Sequence, residues 1–459
     1  MTHNLTHTAR YQAMQLLSDV VSGRVFINEG LASILKENRL PDSEHALFTQ
    51  LVYGTMQYHF TVDEILKSLV KRPNKVKRWV WELLALSSYQ YFYLDHIPQH
   101  AIVNEAVKIA KTRGNQTLSR FVNGVLRNLM RQFETIMDAI DHVATDDTER
   151  ICLIDSLPIE WFNYFEERFG REEAIQLAES LTQPSQVNVR INQTKNLDIT
   201  SIISQLQVEG YQTTPSTIAP TVLKVASGNP AQSQLFKQGV FTIQDEAASL
   251  AVSVLNPMLG ECVLDACAAP GGKTVQIAEA VGKKGHVEAL DMEANKLPKI
   301  QANVERMGVR EQVAIHQQDA RQLDRYEAES FDRILVDAPC SGIGLFRRKP
   351  DTKYHKALSE IKGLPTIQLE ILEAATPLLK KGGHFVYSTC TITAEENEQV
   401  VKRYLKRHPE MELIPIEVDS THPLHRALTQ MGTLEILPHY FQSDGFFIAH
   451  MKKRNDQSA

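Results

Sequence analysis

The chain of 459 residues holds only five cysteines, Cys152, Cys262, Cys267, Cys340 and Cys390. They are too few and too scattered for a disulfide framework, and no CxxC pair or Cys/His cluster suggests zinc. No metal is expected, and any cysteine that matters here should matter as a thiol. No apolar run approaches the length of a membrane span, and the opening MTHNLTHTARYQAMQL lacks the apolar region of a signal peptide. A cytoplasmic protein with no membrane partner is therefore expected. What is present, 43% hydrophobic and 23% charged residues, is the composition of a globular protein long enough for two or three domains. There is no internal repeat.

A net charge of −6 argues against nonspecific nucleic-acid binding, yet it hides an asymmetry. Between Lys67 and Arg131 stand 12 Lys or Arg and 3 acids, whereas Glu134 to Glu149 carries 6 acids and neither Lys nor Arg. A locally basic helical surface is the footprint of a phosphate-backbone contact, although a solvated charged face produces the same pattern.

Residues 1 to about 130 repeat apolar positions at helical spacing, as in Ala13, Leu16, Leu17, Val20 and Val21, or Val80, Leu83 and Leu84. The aromatic group Tyr89, Tyr91, Phe92, Tyr93 lies at the same spacing and is expected in the core. These patterns divide the chain into a helical domain over 1–133, a linker over 134–156, a small α/β unit over 157–240 and a larger α/β domain over 241–455. In the last, helical patterns alternate with strand candidates at Val263–Ala266, His286–Asp291, Val313–Gln318, Phe331–Val336, His384–Ser388 and Phe446–Met451, as a doubly wound sheet requires. Pro298 fits the helix before Met307 only if that helix starts just ahead of it.

The stretch ECVLDACAAPGGKT, Glu261 to Thr274, reads as strand, glycine turn and helix, the arrangement that receives a polar ligand at the carboxyl edge of an open sheet. Gly272-Lys273-Thr274 looks like the end of a P-loop, but GxxxxGK[ST] requires glycine where Cys267 stands. No GxGxxG is present either. Asp291 ends the second strand, where an acid accepts from ribose hydroxyls; Asp319 follows the third and Asp337 the fourth. Each alone is an ordinary cap or surface acid. The series along one edge favours a nucleoside-cofactor site. Two further strand ends deliver Cys340, in FDRILVDAPCSGIG, and Cys390, in GGHFVYSTCT. A lone cysteine is usually a small buried hydrophobe, the reading taken for Cys152, Cys262 and Cys267; two at the ligand edge suit nucleophilic chemistry.

LDACAAPGGKT, LVDAPCSGIG and YSTCTITAEENEQVV resemble motifs of the RNA cytosine-C5 methyltransferases. FTIQDEAASLAV, FRRKPDTKY and DGFFIAHMKK are similar to further segments of that family. IPQHAIVNEAVKIAK and FVNGVLRN resemble the NusB-like RNA-binding domain of its bacterial small-subunit ribosomal RNA branch. Lys349 stands where many relatives have histidine.

The resemblance implies a Rossmann-like methyltransferase sheet, S-adenosylmethionine as cofactor, 16S ribosomal RNA as partner and a monomer. By the same resemblance Cys390 adds to cytosine C6, Cys340 assists release, and Asp337 holds the base edge. Cys267, Ala268, Ala269, Pro270, Gly271, Gly272, Lys273, Asp291, Asp319 and Asp337 line the cofactor, with Asp291 toward the ribose and Asp319 toward the adenine amine. Rival expectations are a noncatalytic RNA-binding assembly factor, a P-loop NTPase, and a transfer RNA substrate within the same chemistry.

Overall fold

Apolar residues at three- and four-residue spacing become helices throughout the first part of the chain. The computed structural model describes residues 5–355 and 358–455. Its contacts divide it into two units, Met1–Gln183 with Phe346–Leu358, and Pro184–Leu345 with Ser359–Ala459.

The first unit contains α1 (Ala9–Val21), α2 (Ile27–Lys36), α3 (Asp42–Gln57), α4 (His59–Leu69), α5 (Arg78–Tyr93), α6 (Gln99–Arg113), α7 (Gln116–Gln132), α8 (Ile136–Val143), α9 (Asp147–Ile154), α10 (Ile159–Phe169) and α11 (Arg171–Thr182). Leu16, Leu17 and Val20 of α1 join Leu51 and Val52 of α3 and Leu83 and Leu84 of α5 in one core. Tyr89 is buried in that core, and Tyr91, Phe92 and Tyr93 pack half-buried against it.

The expected linker over 134–156 is instead the helices α8 and α9, and the unit boundary falls at Gln183/Pro184 rather than near 157. Four of the six acids that suggested a solvated linker, Asp138, Asp146, Asp147 and Glu149, are helix-start residues. Thr135 and Asp138 form a capping box on α8, and the Asp146 side chain accepts from the Glu149 N–H at the start of α9. Carboxylates are favoured there because they satisfy orphan N–H groups and face the positive end of the helix dipole. Ala139 meanwhile joins the helical core.

The second unit begins with β1 (Val187–Ile191), α12 (Ile199–Val208), β2 (Thr213–Pro215), β3 (Val222–Val225), α13 (Gln234–Lys237) and β4 (Phe241–Ile243). These strands form an antiparallel sheet of order β2-β3-β1-β4. There follow α14 (Glu246–Leu255), β5 (Cys262–Asp265), α15 (Gly272–Val281), β6 (His286–Asp291), α16 (Leu297–Met307), β7 (Val313–Gln317) and β8 (Phe331–Asp337). Pro298 sits in the first turn of α16, where its missing N–H costs nothing. After β8, Phe346–Leu358 belongs to the first unit and carries α17 (Thr352–His355). There Lys353 is buried and donates to the carbonyls of Gln57 at 2.9 Å and Ser156 at 3.0 Å.

The chain then supplies α18 (Leu364–Ala375), β9 (Leu379–Thr389), α19 (Glu398–Arg407), β10 (Met411–Leu413), β11 (Leu434–Ile436), α20 (Pro438–Phe441) and β12 (Phe446–Lys453). The large sheet has the order β10-β12-β9-β8-β5-β6-β7, with β11 beside β12. Its strands β5 to β9 are parallel, and β12 is antiparallel to β9. Strands β6 and β7 build outward on one side of β5, whereas β8 and β9 build on the other. The strand order reverses at β5, a topological switch point of the kind at whose carboxyl edge ligands of such sheets bind. The small sheet is keyed to this region by the fully buried Arg190. Its guanidinium grips Glu279 of α15 at 2.7 and 2.9 Å, and its Nε donates to Gln244 at 2.8 Å.

Candidate active site

The expected acids lie at the carboxyl ends of their strands: Asp291 closes β6, Asp337 closes β8, and Asp319 stands two residues beyond β7. Asp291 pairs with Gln317 across β6 and β7, and Asp337 pairs with Ser388 across β8 and β9. The turn after β5 is tight. Gly271 has φ +101°, and a Cβ on it would stand 3.1 Å from the backbone of Ile300, so a side chain there is both strained and crowded. Ala268 N–H donates to the Leu290 carbonyl at 2.7 Å, and Asp291 Oδ2 accepts from Ala269 N–H at 3.2 Å, tying the turn to β6.

Asp265, at the end of β5, is completely buried, and one of its oxygens accepts from Thr274 Oγ1 at 2.7 Å. Its other oxygen, Oδ1, has no protein partner. Burial raises its carboxyl to about 7, with Asp337 adding to the rise while the Thr274 hydrogen bond and Lys273 oppose it. Cys267 packs half-buried against the core, and burial followed by the neighbouring carboxylates pushes its thiol well up, as suits an inert packing residue.

Lys273, expected among the cofactor-lining groups, commits its ammonium to Asp337, with Nζ 2.6 Å from Oδ2. Ser388 Oγ donates to the other oxygen of Asp337 at 2.8 Å. Burial alone would lower the Lys273 pKa; the charge and hydrogen bond of Asp337 outweigh it and raise it, with the Cys390 sulfur adding to the rise. Asp319 is held by Arg321, which donates to Oδ1 at 3.0 Å and to Oδ2 at 2.7 Å, so an adenine amine there would share a carboxylate that is already engaged. Arg321 depresses the Asp319 pKa, chiefly by these side-chain hydrogen bonds.

The two candidate thiols converge. Cys340 Sγ and Cys390 Sγ are 3.2 Å apart, both half-buried. The hydrogen bond to Cys390, then burial and the charges of Cys390, Glu396 and Asp337, hold the Cys340 thiol well above its ordinary range.

Glu396 and Asn397 were given no role by the sequence reading, yet both are fully buried beside the thiols. Asn397 accepts from Thr389 Oγ1 at 2.6 Å and donates to the Thr391 carbonyl at 3.0 Å, bracketing Cys390 on either side. In sequence they sit in a polar run before α19, and nothing local separates them from exposed helix-start residues.

Among the described residues no cluster of His, Cys, Asp and Glu fits a metal ion, and no helix is long and apolar enough to cross a membrane. Residues 252–452 match the family model described as 16S rRNA methyltransferase RsmB/F, and residues 7–131 match the NusB family. A probable ribosomal RNA small subunit methyltransferase B of Bacillus subtilis (strain 168) is 40% identical over 96% of this chain and 98% of its own length. Ribosomal RNA small subunit methyltransferase B of Yersinia enterocolitica is 31% identical over 98% of this chain and 99% of its own. A solved methyltransferase homologue from Pyrococcus horikoshii superposes with a TM-score of 0.57 at 28% identity, covering 68% of this chain and 100% of that one. With a topological switch point in a methyltransferase-like sheet, a NusB-type helical region and full-length similarity at this level, the chain belongs to the ribosomal RNA small subunit methyltransferase B family.

Proposed function

We propose that the protein transfers a methyl group from S-adenosylmethionine to C5 of a cytosine in 16S ribosomal RNA, through a covalent bond between Cys390 and C6 of the base. The observation that carries this reading is the pair of thiols 3.2 Å apart beside the Lys273–Asp337 ion pair. One thiol makes and breaks the bond to the base, and a second group at the same place serves its release.

The residues present fit the cofactor. The Gly271 turn leaves no room for a side chain, the Asp291 carboxylate stands over that turn, and Asp265 keeps a buried oxygen without a protein partner. Cys267 to Lys273 and Asp291 would hold it, and when bound it supplies an electrophilic methyl group. The chain's own residues do the rest. Addition of the Cys390 sulfur to C6 converts an unreactive aromatic ring into an enamine whose C5 is nucleophilic. Asp337, oriented by Ser388 and Lys273, stabilises the charge that develops on the base edge. Loss of the C5 proton to a base and departure of the Cys390 sulfur as thiolate restore the C5–C6 double bond, and Cys340, next to that sulfur, assists its release. The base must be unstacked for C6 to reach a sulfur at this edge, so a loop or flexible RNA segment is the substrate.

The test is methyl transfer to ribosomal RNA from cells lacking the enzyme, with bisulfite mapping of the product. One new 5-methylcytosine in 16S RNA supports the reading. Modification of transfer RNA alone would redirect the substrate, and cofactor binding without transfer would favour an assembly factor.

A further inference from the structure

The two loops that carry the thiols meet on one carboxylate. Glu396 Oε1 accepts the Ser341 backbone N–H at 2.8 Å and the Gln368 amide at 3.1 Å. Its Oε2 accepts the Ser341 hydroxyl at 2.5 Å and the Thr393 hydroxyl at 2.7 Å. Ser341 follows Cys340 directly, Thr393 lies three residues beyond Cys390, and Gln368 belongs to α18. Gln368 also donates to the Pro339 carbonyl at 3.0 Å, on the other side of Cys340. The glutamate itself is anchored from behind, because the Tyr387 hydroxyl donates to its backbone carbonyl at 2.6 Å.

A fully buried carboxylate is unfavourable unless its lone pairs are filled, and here five donors from three segments fill them, the fifth being the Thr391 hydroxyl at 3.4 Å. Such a group is worth its desolvation only if the geometry it enforces matters. The residues it joins are the immediate neighbours of the two sulfurs. Its charge also contributes to keeping the Cys340 thiol protonated, after the Cys390 hydrogen bond and burial.

We propose that Glu396 is a positioning residue of the methyl-transfer reaction: by binding Ser341 and Thr393 together it sets the separation and mutual aim of Cys340 and Cys390. The role is sharpest at the release step. Asn397 brackets Cys390 independently, so loss of the Glu396 carboxylate displaces Cys340 more than Cys390. The bond to C6 still forms, and its resolution slows. This inference rests on the reading above for its catalytic consequence, while the spacing of the thiols is a property of the chain alone.

The experiment uses the full-length protein with Glu396→Gln, which keeps the volume and replaces one acceptor oxygen by a donor facing the donors already there. Two readouts are taken. In the first, diamide, a thiol oxidant that is reduced to the hydrazine as two thiols lose their protons and join, crosslinks Cys340 to Cys390, and peptide mapping follows the rate. Wild-type protein crosslinks readily at this spacing, and the variant is expected to slow by about tenfold or more. In the second, kcat is expected to fall by about 100-fold with cofactor Kd within about twofold, and an RNA adduct that survives denaturation accumulates. Crosslinking at the wild-type rate, or slowed crosslinking with unchanged kcat, overturns the proposal. If Glu396→Gln does not fold, the variant Thr393→Val removes one tie while keeping the carboxylate and the direct Ser341–Thr391 hydroxyl hydrogen bond at 2.8 Å. It is expected to move both readouts in the same direction, and wild-type behaviour in it overturns the proposal equally. If neither Cys340→Ala nor Cys390→Ala traps an adduct, the methyl-transfer reading fails, while the crosslinking rate still decides what Glu396 does.

Discussion

Cys340 Sγ stands 3.2 Å from Cys390 Sγ although the two residues come from different strands and lie fifty positions apart in the chain. Their roles separate on mutation. Cys390→Ala is expected to lower methyl transfer by roughly 10³-fold or more and to leave no covalent RNA complex. Cys340→Ala is expected to accumulate that complex, seen as a shifted band on a denaturing gel. The opposite pattern would exchange the two roles.

Lys273→Met leaves Asp337 without its cation in a partly buried setting, the side chains being 13% and 25% exposed. The exposure discounts the penalty, so a stability loss of about 1–3 kcal/mol is expected, measured by urea unfolding. The rate should suffer more than the fold, because Asp337 loses the partner that orients it. Full activity in this variant would remove Lys273 from the site.

Asp265 makes stability depend on pH. Its folded carboxyl titrates near 7, above its ordinary value of 3.8. Between these values the folded state holds a proton that the unfolded state has lost. The group's contribution is therefore full below about pH 4 and is lost as pH rises through about 7. Asp265→Asn should flatten this component, so the stability difference between wild type and variant should change between pH 4 and pH 8. A difference that stays constant over that range would contradict the shift.

Arg190 and Glu279 form a bidentate pair whose side chains are 1% and 3% exposed. Arg190→Met strands a buried carboxylate against α15 and should cost about 3–5 kcal/mol in chemical denaturation. The double variant Arg190→Met/Glu279→Leu should recover much of the loss, since the penalty comes from the unpaired charge. No recovery would place the damage in packing instead.

The elements themselves were largely legible. The strands at His286–Asp291 and from Phe446 stand where periodicity put them, and the helix at Pro298 begins just ahead of the proline. Burial on one face leaves its period in the local sequence. The linker was misread because Asp138, Asp146 and Glu149 look like a solvated charge run when counted. Two of them, Asp138 and Asp146, act as helix caps, a role visible only once the helices exist. The late strand β10 and the helix α19 show no clear pattern either, the first being three residues long and the second half charged.

By itself the sequence determined that Asp291, Asp319 and Asp337 would lie at strand ends along one edge, that a glycine turn would follow β5, and that Cys340 and Cys390 would lie just past strand ends. These follow from side-chain periodicity and from turn chemistry, which act over a few residues. Only the tertiary structure decided that Lys273 faces Asp337, that Phe346–Leu358 belongs with the helical unit, and that Glu396 rather than its acidic neighbours is buried between the thiol loops. Those outcomes depend on the parallel register of β8 with β9 and on which polar groups are left to satisfy one another once water is excluded. Partners separated by 50 or more positions are chosen by that register and leave no local pattern to read.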